Sequence, residues 1–183
     1  LLSQGTMRAA LLVAYGTLDW FYPFFDLVGR DIDPALETGL GEIDNVTDSD
    51  RKEMKKILGR FMHSIHDGHG FYSDWASDDW SDGYLDIQIQ EIDGMPVVRT
   101  SSESDIQAGD TITAVDGVAS EDWYEEATSR YSASSDWYRF VLATDELKEI
   151  YGSKALTLKN TEGVEREVST QGTSWVDSPS VAW

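Results

Sequence analysis

Between residues 65 and 85 the spacing of apolar side chains changes from the period of a helix to that of a strand, and no single regular element can serve both. Upstream, Met54, Ile57, Leu58, Phe61, Met62 and Ile65 recur at i, i+3, i+4, i+7, i+8 and i+11, one continuous stripe along a helix. Downstream, Leu85, Ile87 and Ile89 alternate with polar neighbours in "YLDIQIQEI", the pattern of a half-buried strand. A helical part and a β-rich part are therefore expected, an α+β chain, with the boundary in the acidic loop "DWASDDWSDG".

Three helices are expected in the first part. Residues 6 to 29 place Met7, Ala10, Leu11, Ala14, Leu18 and Phe21 three and four apart, with Pro23 forcing a break or kink. In "DPALETGLGEI" Asp33 reads as the N-cap and Pro34 as the first helical residue. The stripe helix begins near "TDSDRKEM", where Asp50 and Glu53 have capping-box spacing. In the second part, "DG" at 93 and 94 turns one strand into "MPVVRT", and "IQAGDTITAVDGVAS" is a short strand between two glycine-containing turns. Helices follow over 120 to 130 and 136 to 150, the latter with Trp137, Phe140, Val141, Leu147 and Ile150 available for burial. "ALTLKNTEGVEREVS" then forms a hairpin that turns at Glu162-Gly163.

Charge removes one class of partner. Thirty-four acidic against fourteen basic residues give a net charge of -20, which repels nucleic acid and anionic lipid. The excess runs through the whole chain and reads as a solvated surface, with adaptation to high salt as one cause. With no cysteine there is neither a disulfide framework nor a thiolate nucleophile. No apolar run reaches the roughly 20 residues that span a bilayer, so no transmembrane segment is expected. The first residue is Leu1 rather than methionine, from which a removed leader and a periplasmic, envelope or secreted location are the expectation.

All three histidines lie in "HSIHDGHGFYSDW", residues 63 to 75. On the stripe helix His63 falls about 180° from Met54 and His66 about 120° round, so the two diverge by roughly 60°. His69 lies beyond Gly68, off the helix. "HxxHxxH" is not the spacing of a helix-borne zinc pair, and no metal is expected. His63 reads as an exposed helix residue and His66 as a boundary residue near the helix C-terminus. Gly68 would let the chain leave the helix in a left-handed conformation, presenting His69 on a loop bordered by Phe71, Tyr72 and Trp75. An imidazole fixed there has the titration range of a general base; one that merely packs is the plainer alternative.

Taken together, "FMHSIHDGHGFYSDW", the strands of "YLDIQIQEIDGMPVVRT", "IQAGDTITAVDGVASEDWYEEA", "YSASSDWYRF" and "YGSKALTLKNTEGVEREVS" resemble the front half of the tail-specific, or C-terminal-processing, serine peptidases, in their tricorn-core-like branch. The resemblance runs over about residues 5 to 170. It implies a helical subdomain at 1–75, a PDZ-like domain at 80–172, and a tail at 173–183 leading to a protease core outside this sequence. In that family the histidine of the "DGH"-type segment is the general base towards a distant serine, a role that falls on His69 alone, with Asp67 and Gly68 shaping the turn. Ser64, on the helix, and Ser73, in a loop without oxyanion-hole glycines, are not nucleophiles by their setting, and the serine of "VASEDW" reads as an N-cap.

The resemblance implies hydrolysis of peptide bonds in unstructured polypeptides or protein tails, with no cofactor and with no activity from these residues alone. Its PDZ-like part would add a peptide as an extra strand at a sheet edge, although no "GLGF" carboxylate loop marks the groove. Two rivals stand beside this: a non-catalytic peptide-binding or regulatory module, and a salt-adapted surface protein used for adhesion. Melting that ignores salt concentration counts against the second rival.

Overall fold

The computed structural model describes residues 2–28, 31–48, 50–73 and 81–171. The tail at 173–183 and most of the acidic loop lie outside them, as does Trp75. A helical region is followed by a β-rich domain, so the α+β expectation holds. The chain forms two compact units. One comprises Leu1–Ser77 with the returning segment Ser129–Arg139, and the other Asp78–Thr128 with Phe140–Trp183.

In the first unit, α1 (Gln4–Phe21) starts where the Ser3 side chain accepts from the Thr6 N–H. It buries Met7 and Leu11 completely, with Ala14 and Leu18 partly covered beside them. Ala10 and Phe21 are exposed instead of lying on the buried stripe. The predicted break comes at Tyr22-Pro23, and α2 (Phe25–Val28) is a separate turn.

The third helix, α3 (Asp33–Ile43), corrects one expectation. Asp33 is its first residue and Ile32 occupies the N-cap without a side-chain hydrogen bond. The Asp33 carboxylate accepts instead from the Tyr15 hydroxyl at 2.6 Å, which pushes that phenol up to about 12. By contrast, α4 (Arg51–His63) is capped as expected, the Asp50 carboxylate accepting from the Glu53 N–H at 3.0 Å. Its stripe buries Met54, Ile57 and Phe61, and Ile65 just beyond, against Met7, Leu11, Ile43 and Val46. Leu58 and Met62 are half-buried at the flank.

The second unit is built on sheets whose described strands all pair antiparallel. A short strand β1 (Gly83–Tyr84) pairs with β6 (Glu149–Ile150). The main sheet runs β2 (Ile87–Ile92), β3 (Met95–Ser101), β4 (Thr111–Val115), β7 (Ser153–Lys159), β8 (Glu165–Gln171), with β5 (Val118–Ala119) paired to β4. The β2–β3 hairpin turns at Asp93-Gly94, both at positive φ (52° and 78°), which is why a two-residue connection follows the strand twist. Leu85 and Ile87 are buried but Ile89 only half so, because the register shifts between Gln88 and Ile89. Val98, Ile112, Val115, Leu156 and Leu158 fill the core beneath the sheet.

Helix α5 (Ser120–Thr128) begins at Ser120, whose hydroxyl donates to the Ile112 carbonyl at 2.6 Å rather than capping the helix. Helix α6 (Asp136–Lys148) stops two residues short of the expected 150, because Glu149 and Ile150 join β1. Its buried residues are Ala143, Thr144 and Leu147, while Trp137 is exposed. "AGD" at 108–110 serves the fold: the buried Asp110 carboxylate accepts from the Gln107 N–H and is gripped by the Arg166 guanidinium.

Lys154 is an unusual buried cation. Its ammonium donates to the carbonyls of Glu146, Leu147 and Glu149, where α6 gives way to β6, and burial holds its pKa below the usual lysine range. Lys154→Met keeps the stem and strands these carbonyls, so a loss of about 1–3 kcal/mol is expected in chemical denaturation. A midpoint equal to wild type would mean that water replaces the ammonium without cost.

Candidate functional site

The site is built where α4 ends. Its last turn tightens, with the N–H groups of Ser64, Ile65 and His66 each donating to the carbonyl three residues back. His66, not Gly68, then takes the left-handed conformation, at φ 50°. The reason lies just upstream: Ile65 is anchored in the core, so the chain must reverse at once after it. Asp67 and Gly70 close the next turn, the Gly70 N–H donating to the Asp67 carbonyl at 2.8 Å. A Cβ at position 70 would stand 2.7 Å from Ile65 Cδ1 and 3.2 Å from Ser132 Oγ, so only glycine fits this turn without displacement.

Within the turn, Asp67 and His69 form a compact pair. Asp67 Oδ1 accepts from the His69 backbone N–H at 2.9 Å and lies 3.1 Å from His69 Nδ1. A carboxylate only accepts, so the shared proton sits on Nδ1 and the Nε2 lone pair faces outward. The His69 side chain is 99% exposed and that of Asp67 23%. Of the expected apolar border, Phe71 is itself 83% exposed, Tyr72 is half-buried with its hydroxyl beside Gly59, and Trp75 lies outside the described residues. The ring points to solvent, not into the helical core.

Two further side chains hold Asp67. The Tyr22 hydroxyl donates to Oδ2 at 3.1 Å, and the Asp67 N–H donates to Ser132 Oγ at 2.9 Å. Neither residue was a sequence candidate. They lie 45 and 65 positions away, and no local pattern ties them to the histidine segment. The Asp-x-His spacing itself was a usable signal, since an aspartate commonly accepts from the N–H two residues on.

The same hydrogen bonds hold the Asp67 carboxyl below the ordinary aspartate range, chiefly the His69 N–H, helped by the His69 ring and Tyr22 and opposed by burial. A carboxyl depressed in the folded state adds stability above its unfolded pKa and loses it as pH falls through the folded one. The stability advantage of wild type over Asp67→Asn is thus expected to be full near neutrality and to fade below about pH 4. Urea midpoints at a series of pH values measure it; a difference that grows on acidification would contradict the assignment.

His63 and His66 do not join His69. Their rings lie 4.8 Å apart, closer than a 60° divergence on a regular helix suggests, because His66 has already left the helix. His63 is half-buried rather than exposed, and its Nδ1 lies 2.8 Å from the Tyr131 carbonyl, which fixes the proton on that nitrogen. Among the described residues no three histidine or carboxylate side chains converge as a metal would require. Ser64 donates to the Phe61 carbonyl at the end of α4, and no described helix is long and apolar enough to cross a membrane.

The described residues thus form a helical unit ending in an exposed Asp–His turn, followed by a β-rich domain. No protein-family model matches the sequence, and neither does any curated protein. The likeness is to solved structures of CPAF, a chlamydial serine protease. Mature CPAF, a serine-to-alanine mutant of it and mature CPAF complexed with lactacystin each match at a TM-score of 0.66 and 16% sequence identity over 92% of this chain. At that identity the likeness is one of fold. This chain spans only 34% of the length of those chains.

Proposed function

We propose that these residues are the helical and PDZ-like portion of a serine peptidase of the tail-specific kind, which hydrolyses unstructured polypeptide or protein C-terminal tails. His69 is its general base. The observation that carries this reading is the Asp67–His69 turn, which directs the Nε2 lone pair away from the unit that bears it. The fold shared with a serine protease supports it. The nucleophile and oxyanion hole belong, on this reading, to a further part of the polypeptide, and these 183 residues alone do not cleave peptides. In the PDZ-like domain a peptide would add along the edge of the sheet at β2, which among the described strands has a partner on one side only.

A fluorophosphonate probe tests this, since it labels a serine only when a base activates it. The complete polypeptide should be labelled and its His69→Ala variant should not. Equal labelling of the two would leave the histidine without the role assigned to it. The competing reading, a peptide-binding module without chemistry, predicts labelling in neither.

A further inference from the structure

We infer that Tyr22 and Ser132 are positioning residues for His69, acting through Asp67, which they grip from two sides. The inference rests on His69 being the base and adds what holds the ring in its working tautomer. Nearly full exposure of the imidazole poses the problem: among the described residues Asp67 is the ring's one hydrogen-bonding partner. A single water-exposed hydrogen bond is weak, and the entropy of aligning two free side chains offsets much of its attraction.

The structure removes that entropy from one of the two. Asp67 Oδ2 receives the Tyr22 hydroxyl, so the carboxylate plane is set and Oδ1 is left for the His69 N–H and ring. Tyr22 is a stiff donor, because its own ring stands edge-on to Phe24 at 5.7 Å and to Phe25 at 4.9 Å. Ser132 Oγ fixes the Asp67 backbone from the other side, and it also lies against Gly70, at the far end of the turn. Ser132 is buried, so this acceptor is not shared with bulk water. The two grips come from distant stretches of the chain. They therefore exist only once the first unit has folded, and they preorganise the acceptor before any substrate arrives.

The test reads the tautomer directly, without activity. Long-range proton–nitrogen spectra of the nitrogen-15-labelled 183-residue chain, recorded near pH 8 where a free imidazole is neutral, distinguish Nδ1–H from Nε2–H. His69 is expected mainly as Nδ1–H. Tyr22→Phe, which keeps the aromatic contacts and removes only the hydroxyl, should lower the Nδ1–H to Nε2–H ratio at His69 about threefold, the worth of a modest hydrogen bond. His63, whose Nδ1–H donates to the Tyr131 carbonyl, should be unmoved and shows that the unit is intact. Ser132→Ala should act in the same direction, and Ser132→Thr should restore the ratio.

In the complete peptidase Tyr22→Phe should lower kcat by a similar factor with KM unchanged. An unaltered ratio in Tyr22→Phe overturns the inference, and so does an altered ratio with kcat intact. The catalytic assignment fails by a different result, full turnover in His69→Ala, so the two failures cannot be confused.

Discussion

On the function proposed for it, His69→Ala in the full peptidase is expected to lower kcat by about 10²–10⁴-fold, the usual contribution of a positioned general base, while the affinity for a peptide substrate stays within about twofold. The split follows from where the ring sits. Among the described residues the imidazole is almost wholly exposed, so its removal takes away little core volume, and Asp67 keeps Tyr22 and Ser132. Stability should therefore change little, and the loss should fall on the chemical step. Single-turnover kinetics with a saturating peptide measure it. Equal activity of variant and wild type would transfer the base to another residue and reduce the Asp67–His69 turn to architecture. A fall in affinity without a fall in kcat would make His69 a substrate contact.

The turn that carries His69 was legible in part because its surroundings are local. Asp67, Gly68, His69 and Gly70 are consecutive, and a turn after an amphipathic helix can be anticipated from period and composition alone. What escaped is what comes from afar. Tyr22 and Ser132 touch Asp67 only because α1 and the returning segment 129–139 fold into the same unit as α4. Nothing in "YSASS" marks it as a neighbour of the histidines.

The misplaced caps have a common cause of the same kind. Asp33 and Ser120 have side chains suited to capping, yet each engages a partner away from its helix start: the Asp33 carboxylate accepts from the Tyr15 hydroxyl, and the Ser120 hydroxyl donates to the Ile112 carbonyl. Asp50, whose carboxylate binds the Glu53 N–H, behaves as its sequence suggests. Burial followed the helical period well along α4, where Met54, Ile57 and Phe61 are buried and Leu58 and Met62 half-buried, and Ile65 just beyond it is buried again. It followed poorly at Phe21 and Trp137, which lie at or near helix ends, where a helix leaves the surface it packs on.

The largest effect on stability is expected at Phe61. It is 1% exposed, is the bulkiest of the fully buried side chains, and lies midway along the α4 stripe among Met7, Leu11, Ile43 and Ile57. Phe61→Ala removes the hydrophobic transfer energy of a benzyl group and leaves a cavity that neighbouring helices can only partly close. Both terms act in the same direction and sum to about 3–5 kcal/mol. Against the roughly 5–15 kcal/mol that holds a domain, such a loss is enough to melt much of the first unit at 37 °C. The cost should appear in the urea midpoint and, through the unit, at the site. Asp67 and His69 sit within eight residues of Phe61 in sequence, and their geometry depends on Tyr22 and Ser132 being brought to the same place. The matched control is Phe71→Ala, the same chemical change on an 83% exposed ring, for which a shift within about 0.5 kcal/mol is expected. Equal effects at the two positions would mean that Phe61 is not where the helical core is held together, and that the Asp–His turn does not depend on that core for its shape.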